Sequence, residues 1–266
     1  MKSYLGYSAD AQVRYSATSG GVGSAFLKWL FDKDIIQSAI SFKFDNQTLR
    51  YSPLIIHSYD DYEISGSIYQ EIDLIDFIKK HINEIKGDFA CFCLPCQSRG
   101  IRNIVEKKNH KVIIIGLTCS SQQTIEATTY LLRKKGIDIN NIKKTAIQRQ
   151  RMAKQHSNRN KTILKKIEIP NNKSIWTEIF HSRLFIRPKC FMCKDTLNKN
   201  CDIALADPWL QDCIKTETIG KTLVTCFSMI GEAYLAQCRD DTYIFLSKID
   251  FKQVIASQKG TIDRKS

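Results

Sequence analysis

Sulfur is the element through which this chain is best equipped to do chemistry: 10 cysteines stand against 5 histidines in 266 residues. Cys91 and Cys93 alternate with Ala90, Phe92 and Leu94 in the run DFACFCLPC, so both face one side of a strand and read as small buried hydrophobes. Cys96 follows Leu94-Pro95 and stands just past that strand's carboxyl end. Cys119 follows Gly116-Leu117-Thr118, just past the end of the apolar run KVIIIGLTC. Open α/β sheets place their ligands at the carboxyl ends of parallel strands, so these two sulfurs belong to a ligand-binding rim. Cys190 and Cys193 form a C-x-x-C in an irregular loop, a spacing that aims two thiolates at one metal. The Cys190–Cys193 motif does not follow a strand as a thioredoxin-like dithiol does. Four thiolates from three segments suit a 4Fe-4S cluster or an all-cysteine tetrahedral zinc site. Cys201 and Cys213 stand in reserve, and Cys226 and Cys238 read as core.

A second feature is the stretch Ser16-Ala17-Thr18-Ser19-Gly20-Gly21-Val22-Gly23-Ser24. Glycines let a backbone approach a ligand closely, and free N–H groups at a helix start favour anions, so the stretch reads as a phosphate cradle or simply as a helix cap. It lacks the dinucleotide-binding glycine spacing, and no strand is expected before it. Gly220-Lys221-Thr222 is only half of a P-loop. The five histidines form no spaced pair and there is no G-x-S-x-G, which disfavours metal-hydrolase and serine-hydrolase chemistry.

The elements that must position these groups are legible from periodicity. A helix is expected from about residue 24, with Ala25, Phe26, Trp29, Leu30 and Phe31 mostly on one face. Strands follow at SAISFKF and SPLIIHSY, then an amphipathic helix over 73–85 closed by Lys86-Gly87. DFACFCLPC, SRGIRNIVEKKNH, KVIIIGLTC and TIEATTYLLRKKG alternate strand, helix, strand, helix, which makes a βαβ unit with a sheet buried on both faces. SIWTEIFHSRLFI reads as helical. Beyond the Cys-containing loop at 187–202, strands near LVTCFSM and TYIFLSK flank a helix. The fold class is therefore α/β: a central, mostly parallel sheet with flanking helices, the Cys loop and a small α+β C-terminal part. Residues 1–142 would form the α/β core and 143–266 the remainder, within one continuous domain.

Composition sets outer limits. The chain is 43% apolar and 25% charged, near the globular average, with a net charge of +13. There is no apolar run long enough to span a membrane and no signal-peptide start, so the chain is expected to be cytoplasmic, with reduced thiols rather than a disulfide framework. Between Lys143 and Lys166 stand nine Lys or Arg and no acid. Such a run is a solvated surface segment, a cover for cofactor phosphates or a docking face for an acidic electron carrier. It has no aromatic residues for base stacking, so nucleic acid is not expected as a partner.

Several stretches, in register over about residues 3–235, resemble the coenzyme F-420 hydrogenase/dehydrogenase beta-subunit family of flavin and iron–sulfur proteins. Arg14-Tyr15-Ser16-Ala17-Thr18-Ser19-Gly20-Gly21-Val22 resembles its Arg-x-x-Ser-Ser-Ser-Gly-Gly-Val. Gly66-Ser67-Ile68-Tyr69, Leu94-Pro95-Cys96-Gln97 and Gly116-Leu117-Thr118-Cys119 follow in the family's order. Arg187-Pro188-Lys189-Cys190-Phe191-Met192-Cys193 and Asp202-Ile203-Ala204-Leu205-Ala206-Asp207-Pro208-Trp209 complete it. The resemblance implies an α/β domain that holds FAD through the Ser/Gly turn and a 4Fe-4S cluster beside it. Cys96, Cys119, Cys190 and Cys193 would be the cluster ligands. Arg14, Ser16, Thr18, Ser19, Gly20, Gly21, Ser67, Tyr69, Gln97 and Asp207 would serve the flavin. It further implies an oxidoreductase that moves electrons between a carrier, ferredoxin or a deazaflavin, and a small-molecule or glycan-precursor substrate, since many bacterial members accompany surface-polysaccharide genes. Cys119-Ser120-Ser121 replaces the family's Cys-His-Gly, Ala206 replaces the glycine of Gly-Asp-x-Trp, and the N-terminal ferredoxin-like module is not expected. Two rival readings are a non-enzymatic, metal-stabilised scaffold in polysaccharide assembly and a glycan-modifying transferase.

Overall fold

The structure, a computed structural model, describes residues 1–108, 110–138, 144–145, 160–163, 167–169 and 175–265. Most of the basic run at 143–166 lies outside the described residues. The exceptions are the short strands β6 (Lys144–Thr145) and β7 (Asn160–Ile163), which pair antiparallel with each other and, through β7, with β8 (Ile167–Ile169).

The main sheet is built around the βαβ unit. β4 (Phe89–Cys93) leads through α4 (Pro95–Glu106) to β5 (Val112–Leu117), and the two strands pair directly and in parallel, Cys91 opposite Ile114. β5 is buried on both faces: Ile113 and Ile115 pack into one core and Ile114 into the other. This is why its sequence is an unbroken apolar run. β2 (Ser38–Asp45) pairs parallel with β4, and β9 (Ile203–Ala206) pairs parallel with β5, so the middle of the sheet is four parallel strands. Outside them, β3 (Arg50–Ile56) is antiparallel to β2. On the other side β10 (Thr222–Cys226), β1 (Ser3–Ser8) and β11 (Ile244–Ile249) add antiparallel pairs. The order is β11-β1-β10-β9-β5-β4-β2-β3. One sheet thus takes strands from both sides of residue 142.

Helices cover both faces. α2 (Val22–Asp32) and α9 (Met229–Asp240) close one core, where Phe26 and Trp29 stack with ring centroids 5.9 Å apart and the Trp29 indole N–H donates to Asp241 at 2.7 Å. α3 (Leu74–His81) and α4 close the other over Ile40, Phe89 and Ile114.

Several elements depart from the sequence expectation, among them the central strand β9, and two of them show why. β1 occupies the polar start and precedes the Ser/Gly turn, where no strand is expected from hydropathy. Its buried positions are Ser3, Gly6 and Ser8, so it carries no apolar alternation; Tyr4 and Leu5 pack part-buried against the core, and Ser3 Oγ meets Thr225 Oγ1 at 3.4 Å. A last helix, α10 (Phe251–Asp263), buries Val254, Ser257 and Gln258, two of them polar. Its legible signal is the reciprocal cap between Asp250 and Gln253.

Gly116 shows how tightly the Cys loop sits on the sheet. A Cβ there would stand 2.5 Å from Cys201 Sγ and 2.6 Å from Asn198 Nδ2. Gly116→Ala is therefore expected to destabilise the protein by about 1–3 kcal/mol through overpacking, read as a lowered urea midpoint.

Candidate functional site

Three adjacent parallel strands deliver chemistry to one rim. Past β4 the chain turns at extended Leu94 into Pro95, whose missing N–H costs nothing at a first helical position, and Cys96 falls in the first turn of α4. Gln97 completes that turn: its Oε1 accepts from Leu94 N at 2.9 Å and its Nε2 donates to Ile72 O at 3.2 Å. Past β5, Cys119 is held by its N–H on Thr196 O at 3.0 Å. Asp207 stands past the end of β9.

The C-x-x-C motif folds over this rim. Arg187 caps a four-residue helix, α7 (Pro188–Phe191), which carries Cys190. The Cys190 sulfur accepts from Gln122 N at 3.4 Å, and the Cys193 sulfur accepts from the Lys265 ammonium at 3.3 Å. Asp202, 2% exposed, anchors the far end of the loop: its carboxylate accepts from Ile114 N at 2.8 Å and Ser228 Oγ at 2.6 Å and pairs with Arg102 at 3.0 Å.

Cys96, Cys119, Cys190 and Cys193 all line one cavity of about 780 Å³. Burial pushes the Cys119 thiol up to about 12, against the pull of Lys265, and the Cys190, Cys96 and Cys193 sulfurs add to the rise. Burial also raises Cys96, which Lys189 opposes and Cys193 and Cys190 reinforce. The four sulfurs are thus electrostatic neighbours. Among the described residues, no group of three or more His, Cys, Asp or Glu is gathered so as to hold a metal ion. Cys91, Cys93 and Cys201 form a separate buried group, with Cys93 at the cavity floor and its thiol raised by burial and by Cys91. Cys213 is buried in the short helix α8 (Gln211–Thr216), and Cys226 and Cys238 lie in the core.

The Ser/Gly turn lines the same cavity. Gly21 adopts φ +77° at the start of α2, and Thr18, Ser19, Gly21, Val22 and Gly23 line the cavity with Ser67, Tyr69, Gln97 and Asp207. Tyr69 packs edge-on against Trp176 and Phe180. Arg14, Ser16 and Gly20 do not line the cavity. Gly20 is wedged into the sheet, its N–H on Thr222 Oγ1 at 2.9 Å and its carbonyl accepting from Ser8 N at 2.7 Å. Arg14 lies over the Tyr7 ring, 3.7 Å from its centroid, and binds Glu217 Oε1 and Gly220 O at 3.0 Å each. It fastens the turn from behind. Ser16 ends α1 (Ala11–Ser16).

Sequence reasoning passed over the cations of the cavity. Arg187, Lys189, Arg264 and Lys265 line it against the single acid Asp207. The last two arrive at the end of α10, the helix that apolar periodicity does not reveal.

Two family models match the chain. One describes the N-terminal part of the beta subunit of coenzyme F420 hydrogenase/dehydrogenase and matches residues 3–79. The other describes the C-terminal part of the same subunit and matches residues 87–252. The chain belongs to this family. The coenzyme F420 hydrogenase/dehydrogenase beta-subunit family is one of oxidoreductases, as its name states. A chain in a solved structure, the xenon-derivatised F420-reducing NiFe hydrogenase complex from Methanosarcina barkeri, shares the fold with a TM-score of 0.74 at 14% identity. The match covers 100% of this chain and 89% of that one. No curated protein matches in sequence. Among the described residues, no helix of this family member is long and apolar enough to cross a membrane.

The fastening behind the Ser/Gly turn is testable. Arg14 and Glu217 side chains are 16% and 8% exposed. Burial alone would raise the Glu217 carboxyl, but the N–H groups of Gly220 and Ile219 and the cations Arg14 and Lys221 hold it below the ordinary carboxylate value. A depressed carboxyl stabilises the fold above its unfolded pKa of about 4.3, and that contribution is lost as pH falls through the folded value. Arg14→Met is expected to cost roughly 2 kcal/mol at pH 7, between exposed and buried pairs. In urea titrations the gap from wild type should close below about pH 4.

Proposed function

We propose that this family member is a flavin- and iron–sulfur-dependent oxidoreductase of the cytoplasm, passing electrons between a carrier such as ferredoxin or a deazaflavin and a small-molecule or glycan-precursor substrate. One observation carries the reading: four thiols from three separate segments line the same cavity as the Ser/Gly turn. The donor set is all sulfur, which suits a 4Fe-4S cluster. The cavity volume lies within the range of organic-ligand sites and exceeds what a lone ion needs. Bound there, the two cofactors would supply the conversion between two-electron and one-electron transfer.

The chain's own residues then have definite tasks. Cys96, Cys119, Cys190 and Cys193 would hold the cluster as thiolates, and the Lys189 and Lys265 ammonium groups offset their charge. Thr18, Ser19 and Gly21, lining the cavity at the start of α2, would offer N–H groups and positive dipole to a cofactor's phosphates, while the Gly20 N–H stays on Thr222. Ser67, Tyr69, Gln97 and Asp207 line the space between. Gln97 and Arg14 act as positioning residues, the first by closing the turn that carries Cys96 and the second by bracing the Ser/Gly turn.

Protein purified without oxygen should be brown, show flavin absorbance and carry about four irons per chain. Cys119→Ser should lose most of the iron while keeping its circular dichroism spectrum. Since Cys119 is protonated in the metal-free protein, iron uptake should release protons and weaken as pH falls. A colourless protein loaded with zinc and free of flavin overturns the proposal.

A further inference from the structure

The loop that carries Cys190 and Cys193 has an outer surface as distinctive as its inner one. Met192 is 84% exposed, Phe191 58% and Leu184 79%, while Cys190 between them in the chain is buried. Phe191 and Met192 are consecutive, and the Arg183 guanidinium lies over the Phe191 ring at 4.7 Å, which brings the Arg183-Leu184 segment beside them. Arg183 itself stands in the left-handed region at φ +59°, a conformation that costs a branched or long side chain about 1 kcal/mol and turns the chain outward after α6 (Ile175–Ser182). The rim is cationic. Residues 183–199 hold five Lys or Arg and one acid, Asp195. The Asp195 carboxylate accepts from Asn198 N at 3.0 Å and Lys199 N at 3.2 Å, and its single charge leaves the segment net positive.

We infer that this surface, Leu184, Phe191 and Met192 flanked by Arg183 and Lys194, is the docking face for a small acidic electron-carrier protein. The assignment rests on the electron-transfer reading above and adds the place of contact and the charge of the partner. Exposed methionine and phenylalanine with basic neighbours have the composition of an interface centre and rim. Three apolar side chains are too few for a permanent assembly and suit the small, transient interfaces of electron-transfer encounters. Positive charge on the rim selects an acidic partner and speeds encounter. Phe191 and Met192 also stand between Cys190 and Cys193 in the chain, so a carrier seated on them meets the loop that bears two of the four sulfurs.

The test uses the full chain purified without oxygen and an acidic 4Fe-4S ferredoxin as probe. Binding is measured by calorimetry or surface plasmon resonance at low salt, with iron and flavin content determined on every sample. The double variant Met192→Glu/Lys194→Glu is expected to weaken binding by at least about tenfold with iron content unchanged, and Met192→Ala/Lys194→Ala by a smaller factor. Lys248→Glu, on β11 at the far edge of the sheet, should bind as wild type does. Wild-type binding should also fall as salt rises. Unchanged binding in both double variants with iron retained overturns the docking face alone, as does a wild type that holds iron yet does not bind the probe. A wild type without iron overturns the electron-transfer reading, and this assignment with it.

Discussion

Two buried carboxylates hold the cavity open between its walls. Asp202 receives a backbone N–H of β5, the hydroxyl that caps α9 and the Arg102 guanidinium of α4, so the end of the Cys loop, the central sheet and two helices converge on one charge. Glu217 does the same on the other side, gathering Arg14, Lys221 and the N–H groups of Ile219 and Gly220 behind the Ser/Gly turn. A charge removed from water is tolerated only when it is paired and hydrogen-bonded, so neither arrangement can shift by degrees. Each wall is fixed by the requirement to satisfy its carboxylate.

The rim between these anchors follows from strand direction. β4, β5 and β9 run parallel and side by side, so their carboxyl ends present Cys96, Cys119 and Asp207 along one edge, and the Cys loop folds back to add Cys190 and Cys193. Gathering four sulfurs has an electrostatic cost once they ionise, and the structure meets it with cations drawn from distant parts of the chain: Lys189 from α7 and Lys265 from beyond α10. The cavity is therefore a joint product of the first and last elements of the chain, as is the sheet, where β1 lies between β10 and β11.

The elements that the sequence disclosed are those whose burial is apolar. β5, with isoleucines on both faces, and α2, with Phe26, Trp29 and Leu30 on one, stand where periodicity places them. β1 and α10 escaped because they are buried through serine, glycine and glutamine, which satisfy neighbours by hydrogen bonding and leave no hydropathy trace. Arg14 illustrates the same limit within the site. Its motif groups it with the turn, but only the folded chain shows its guanidinium spent on Glu217 and Gly220 rather than facing the cavity.

By itself the sequence determined local matters: the strands and helices whose burial is apolar, which cysteines fall just past strand ends, and the family pattern of the Ser/Gly and Cys-x-x-Cys stretches. These depend on neighbours a few residues apart, through side-chain periodicity and backbone geometry. The tertiary structure alone decided what meets across the cavity. The Lys265 contact with Cys193 depends on segments far apart in the chain, and the exposure of Met192 on which face of a loop meets solvent. Packing and desolvation act on the folded surface, and no short-range rule encodes them.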